Sequence, residues 1–235
     1  MKRLLAGIAV CTLVAVPSAA RERAPRQFAN PSAVVAAELA FARLAQVKGQ
    51  WTAFRETATK DAVMFVPGPT NAQAWLRKQA NPAAAVRWQP HEVWMSCDGS
   101  AAVTRGAWQA GGGQAGGGQN ATAAGYFITM WQRQKDGRYK WRLDQGEPLA
   151  VPLPAPEGIA GHVANCSGRP SRLGPNYRPE IAGEIWGESD DGTLRWSTVT
   201  PPNGRFTVVS TWDGAALNRV IEQAAVNPPA PAQPR

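Results

Sequence analysis

Few side chains in this sequence can move a proton near neutral pH. His91 stands in the segment WQPHEVW, and an imidazole with an ordinary pKa of about 6.5 can accept and return a proton. Tyr126, in AGYFITM, is able to stabilise an enolate or oxyanion. Asp61 opens DAVMFV and Asp144 lies in WRLDQG; either carboxylate can serve as a general base. Strand alternation puts Val86, Trp88, Glu92 and Trp94 on one face, and Arg87, Gln89, His91 and Val93 on the other. If the tryptophan face points inward, His91 points away. Asp61 also reads as a residue at a helix-to-strand boundary. Asp144 shares a polar face with Lys140 and Arg142, where a surface ion pair is the ordinary outcome.

The second group of interest is aromatic. Trp51, Trp75, Trp94, Trp108, Trp131 and Trp141 are spread over the first two thirds of the chain. Aromatic walls with few polar groups are typical of small-molecule sites. Trp51, Trp75, Trp94, Trp131 and Trp141 are the ligand-binding candidates. The competing reading for each ring is core filling.

Other chemistry is not encoded. His91 and His162 are the only histidines, with no close Cys or carboxylate cluster, so no catalytic zinc set is composed. The Gly-rich stretch 110–121 lacks the lysine of a phosphate loop. No G-x-S-x-G elbow occurs. These readings give an expectation of no metal and no cofactor.

The chain has 235 residues, 25 Lys+Arg against 17 Asp+Glu, and 10 Trp. It is too apolar for disorder throughout. The excess of cations is scattered, apart from Arg133, Lys135, Arg138, Lys140 and Arg142 around one turn. No nucleic-acid motif accompanies them. Residues 1–20 have the three parts of a secretory signal peptide. Lys2 and Arg3 lead, an apolar run follows from Leu4 to Val16, and Ser18, Ala19 and Ala20 are small. The run is shorter than the roughly 20 residues that cross a bilayer as a helix. Export to the periplasm or the medium is therefore expected, with no stable membrane span after cleavage. The two cysteines left beyond the leader, Cys97 and Cys166, read as a disulfide in an exported chain, or else as two buried thiols.

The elements that must position these groups follow from period and punctuation. Asn30-Pro31 opens a helix whose apolar face carries Val34, Ala37, Phe41 and Leu44 and extends to Lys48. Residues 50–58 form a second short helix, 61–66 a strand stopped by Pro67-Gly68-Pro69, and 71–78 a further helix. Four strands follow at 86–95, 101–109, 124–134 and 138–146, with Asp98-Gly99 and Asp136-Gly137 as hairpin turns. Tyr139, Trp141 and Leu143 fall on one face of the fourth. Residues 148–158 are a Pro-rich linker or extended edge segment. Residues 159–226 make a β-rich extension with strands at 181–188, 193–199 and 205–211. Asp213 then caps a last helix through Ala225, striped with Leu217, Val220, Ile221 and Ala224. Residues 227–235 form a Pro-Ala tail expected to be disordered.

Helices followed by a meander make an α+β fold, with helices on one face of a curved antiparallel sheet. Residues 31–147 resemble the nuclear transport factor 2-like superfamily, which includes ketosteroid isomerase and the SnoaL-like cyclases. The resemblance is carried by the amphipathic helix 33–48, by DAVMFVPGP and NAQAWL, and by two strand pairs ending in GYFITMWQRQKDGRYKWRLDQG. The stretch WQPHEVWMSCDGSAAVTRGAW looks like exported bacterial members without an assigned activity.

The resemblance implies a cone with a pocket between the sheet and the helices, holding small, largely apolar molecules. It also implies a homodimer through the sheet. In catalytic members an acid or base sits inside the cone, often with a tyrosine. That leaves three expectations: a binding protein for a small apolar molecule or a protein partner, a cofactor-free isomerase, dehydratase or cyclase using Tyr126 with Asp61 or His91, or an envelope dimerisation module.

Overall fold

The computed structural model describes residues 28–111, 123–174 and 176–226. Residues 1–27 (which include the expected signal peptide), most of the Gly-rich stretch and the Pro-Ala tail lie outside the described residues. Pro31 starts helix α1 (Pro31–Lys48), and Gly49 at φ 93° separates it from α2 (Gln50–Thr57). Strand β1 (Ala58–Phe65), the short β2 (Pro69–Asn71) and helix α3 (Ala72–Leu76) follow. The Asn71 side chain caps α3 by accepting from the Ala74 backbone N–H at 2.9 Å.

Four long strands then form the meander: β3 (Arg87–Met95), β4 (Ala101–Ala110), β5 (Ala123–Arg133) and β6 (Tyr139–Pro148). The sheet has seven strands in the order β2-β1-β6-β5-β4-β3-β7, where β7 is Ala160–Val163. It is mixed, not antiparallel throughout: β1 runs parallel to β6, and β7 parallel to β3. Both exceptions join strands that are distant in sequence, so hairpin signals do not reveal them. Residues 149–159 hold no helix or strand. The chain beyond them returns to the first sheet through β7 before it enters the second.

That second sheet has four strands, β8 (Ile185–Glu188), β9 (Leu194–Val199), β10 (Gly204–Trp212) and β11 (Leu217–Val226). The predicted last helix is β11. Its hairpin with β10 contains a bulge, so that Val209 faces Ile221 while Ser210 faces Arg219. The extra residue, Val220, changes the strand's period of two into helix-like spacing. The apolar stripe read as helical is this local irregularity.

Two cores result. Helices α1 and α2 pack Val34, Phe41, Ala45, Ala53 and Phe54 onto Val93, Met95, Ala102, Trp131 and Trp141 of the sheet. The opposite face carries Val103, Tyr126, Ile128, Met130 and Leu143, and these pack on Leu194, Trp196, Val209 and Ile221 of the second sheet. Alternation along each strand feeds both cores at once. Polar contacts also join the two sheets. Thr193 accepts from the Cys97 N–H at 2.9 Å, Asp191 from the Asp98 N–H at 2.9 Å, and Thr207 from Gln145 at 2.6 Å. Cys97 and Cys166 form a disulfide with Cα atoms 5.2 Å apart.

Candidate functional site

Three glycines on adjacent strands open a space beneath the helices. Gly106 on β4 lies opposite Phe127, which lies opposite Gly146 on β6, and Gly125 lies opposite Trp108. A Cβ at Gly125 would fall 2.6 Å from the Trp108 ring, and one at Gly146 would fall 3.2 Å from its Nε1. The indole can cover these two positions only because neither carries a side chain. Above this floor is a cavity of about 240 Å³. Helix residues Phe41, Gln50, Trp51 and Phe54 line one side, and Met64, Phe65, Val86, Trp88, Trp108 and Phe127 line the other. Gln50 is held by accepting from the Val86 N–H at 3.0 Å.

Asp144 is the single ionisable side chain in that lining. It faces inward because of a bulge in the β5–β6 pair: Trp131 pairs with Trp141, but Met130 pairs with Leu143. Arg142 is the extra residue. The faces exchange beyond it, so Trp141 and Asp144 share the inner face while Leu143 turns to the second sheet. The Thr129 hydroxyl donates to Oδ1 of Asp144 at 2.6 Å, and no donor among the described residues reaches Oδ2. Burial pushes the Asp144 carboxyl up to about 6, partly offset by the Thr129 hydrogen bond and by Arg205.

A second acid lies deeper. Glu38, on the buried face of α1, is fully enclosed. Trp88 Nε1 donates to its Oε1 at 2.7 Å, and Thr104 Oγ1 and Trp131 Nε1 donate to its Oε2 at 2.5 and 3.1 Å. Burial raises Glu38 to about 7, against the lowering effect of these three donors. Its three donors make it a positioning group that fixes two indoles, one of which walls the cavity.

Sequence reasoning passed over Glu38, although a signal was present. It stands four residues after Val34 and three before Phe41, on the apolar stripe. The stripe is Val34, Glu38, Phe41 and Ala45, whereas Lys48 is exposed and pairs with Glu56 at 3.0 Å.

The three expected catalytic residues are not brought together. Tyr126 is buried between the two sheets, on the face away from the helices, and burial raises its hydroxyl pKa. Asp61 is exposed on β1 and pairs with Arg142 at 3.1 Å. His91 is the extra residue of a bulge between Pro90 and Glu92. It lines a separate groove with Arg87, Gln89, Pro152 and Leu153, and partial burial lowers its pKa. The same bulge puts Trp88 and Trp94 on opposite faces, where alternation had joined them.

Among the five candidate tryptophans, Trp51 lines the cavity. Trp75 packs edge-on against it with centroids 5.2 Å apart. Trp94 faces the other side and stacks on His162 at 4.0 Å. Trp131 is held by Glu38, and the buried Trp141 donates to Thr57 Oγ1 at 3.0 Å. Trp88 and Trp108 supply the further indoles of the wall.

No protein-family model and no curated protein sequence matches the chain. Solved structures do match. A ketosteroid isomerase-like protein of Erwinia carotovora atroseptica is 14% identical with a TM-score of 0.39, over 52% of this chain and 97% of that one. ActVI-ORFA of Streptomyces coelicolor is 12% identical with a TM-score of 0.35, over 51% and 97%. Aln2 of a Streptomyces species is 14% identical with a TM-score of 0.36, over 52% and 94%. Solved ketosteroid isomerase-like proteins thus stand among the structures this chain is similar to. At such identities none of them assigns an activity.

Among the described residues, no group of three or more His, Cys, Asp or Glu is placed to hold a metal ion. The arrangement is an aromatic chamber with one carboxyl at its floor. It can enclose a small ring system and make one strong hydrogen bond to it.

Proposed function

We propose that this is an exported protein that binds a small, largely apolar or aromatic molecule inside the cone. The observation that carries this reading is the cavity of about 240 Å³, walled by Phe41, Trp51, Phe54, Trp88, Trp108 and Phe127, with Asp144 its single ionisable lining residue. Aromatic rings bury large areas and orient a bound ring edge-on or offset. Asp144 Oδ2 offers the polar contact that fixes the ligand's direction.

Export is supported by the leader-like residues 1–20 and by the Cys97–Cys166 disulfide. Among the described residues no helix is long and apolar enough to cross a membrane. The sheet face available for a sheet-to-sheet homodimer carries the second sheet here, which favours a cone that works within one chain.

A second reading starts from the same geometry: Asp144 lines the cavity with Thr129 on its Oδ1. Burial raises its carboxyl to about 6, close to neutral pH, where a general base is most effective. Asp144 would then shuttle a proton on the bound molecule without metal or cofactor. It takes the place of Tyr126, Asp61 and His91 in the enzyme hypothesis.

Native mass spectrometry of the full chain, purified from an oxidising compartment without reductant, tests the binding reading. A reproducible extra mass that is lost on denaturation is expected. A bare mass, together with no binding in a screen of small aromatic compounds, overturns it.

A further inference from the structure

The cavity is unbalanced in charge. Among the described residues its lining contains a carboxyl and no Lys, Arg or His. Glu38 lies behind the wall formed by Trp88 and interacts electrostatically with Asp144. The cation that acts electrostatically on Asp144 is Arg205 of β10. That guanidinium is already engaged, by Glu147 through an ion pair and by the Phe65 ring at 4.1 Å. An ionised Asp144 therefore has one hydroxyl donor, Thr129, and no cation of its own in the chamber. A half-buried charge without a partner is still costly, so such a site favours a ligand that brings the opposite charge. The rest of the wall suits the same ligand. Phe41, Trp51, Phe54, Trp88 and Trp108 are ring systems, and the faces of such rings attract cations, most strongly in a desolvated site.

We propose that the molecule held in the cone is a small organic cation, an amine or quaternary ammonium, with its charged nitrogen near Asp144 and its apolar part against the aromatic wall. This rests on the binding reading above and narrows it to one ligand class. The volume limits the ligand to about one ring with a short substituted amine.

Benzyltrimethylammonium and neopentylbenzene test this as a pair, since they share shape and differ by one charge. Binding to the full chain is followed by tryptophan fluorescence. The cation is expected to bind at least tenfold more tightly than its neutral counterpart, and Asp144→Asn to cut that preference at least threefold, the remainder being the attraction of the ring faces. A cooperative urea transition reports that the variant is folded.

A second measurement needs no variant. The charge of the quaternary nitrogen does not titrate, so the pH profile reports the protein. Asp144 is faced by Thr129 from β5 and by the charges of Glu38 on α1 and Arg205 on β10. Both acids gain charge as pH rises from 5 to 7.5, so the cation should bind more tightly across that interval. Equal or tighter binding of neopentylbenzene, or a flat pH profile for the cation, overturns the ligand class and leaves the binding reading standing. Failure of both probes to bind overturns the two together.

Discussion

Trp88 Nε1 donates to Glu38 Oε1 at 2.7 Å, and the ring of the same Trp88 walls the cavity. One residue thus joins a buried acid of the core to the candidate site. Truncating Glu38 to Ala leaves the Trp88 indole N–H without its acceptor and takes the closest acceptor from the Thr104 hydroxyl, while Trp131 Nε1 keeps Thr104 Oγ1 at 2.9 Å. The expected loss is roughly 2–4 kcal/mol, because each orphaned buried donor carries its own penalty. Chemical denaturation of Glu38→Ala measures it, and a loss below about 1 kcal/mol would show that the network is not what holds α1 on the sheet.

Stability should depend on pH in an unusual direction. Burial raises Glu38 from 4.5 to about 7 and Asp144 from 3.8 to about 6. The native state therefore binds more protons than the unfolded chain between about pH 4 and 7. By linkage, stability falls as pH rises through that window and levels off above it. His91, lowered by partial burial, opposes the two acids as pH falls below about 6.5, and Asp191, lowered by its Ser189 and Thr193 hydrogen bonds despite burial, does so only as pH falls further. Urea denaturation at pH 5 and pH 7.5 is expected to show the protein more stable at pH 5, by on the order of 1–3 kcal/mol. A protein more stable at pH 7.5 would contradict the placement of both acids.

Gly125 tests the floor of the cavity. An added Cβ there meets the Glu147 carbonyl as well as the Trp108 ring. Gly125→Ala should destabilise the protein by roughly 1–3 kcal/mol through overpacking and change the fluorescence of Trp108. Gly137→Ala, at a turn where a Cβ meets nothing, is the control for added side chain outside the site, although its φ of 82° carries its own strain.

The disulfide ties the first sheet to the segment leading into the second, across a sequence separation of 69. A closed loop of that length stabilises by roughly 4 kcal/mol in the chain-entropy model. Replacing both cysteines by Ser should lower the melting temperature by several degrees, measured by calorimetry. If melting is unchanged, the hydrogen bonds from Thr193, Asp191 and Thr207 already dock the second sheet without it.

The elements were largely legible in the sequence, because Asn30-Pro31, Gly49, Asp98-Gly99 and Asp136-Gly137 mark ends and turns by local chemistry. The inner faces were not. Bulges at His91, Arg142 and Val220 each insert one residue, and a strict period of two then assigns everything beyond them to the wrong side. Asp144 was read as a surface partner of Lys140 and Arg142 for this reason, and Trp94 as a companion of Trp88. Nothing in a single sequence marks such an insertion. Tyr126 was misplaced for a different cause. It lies on a regular strand whose two faces are both buried, so hydrophobicity cannot say which core it enters. Glu38 was the legible omission, an acid on an apolar helix stripe.

The central claim is that the aromatic cavity binds a small molecule. Two-dimensional NMR of the indole N–H groups, during titration with small aromatic amines, tests it most directly. The account predicts that resonances of Trp51, Trp88 and Trp108 move together and saturate, while Trp186 and Trp212 of the second sheet stay in place. Saturable shifts confined to Trp186 or Trp212, or no saturable shift at any indole, would contradict it.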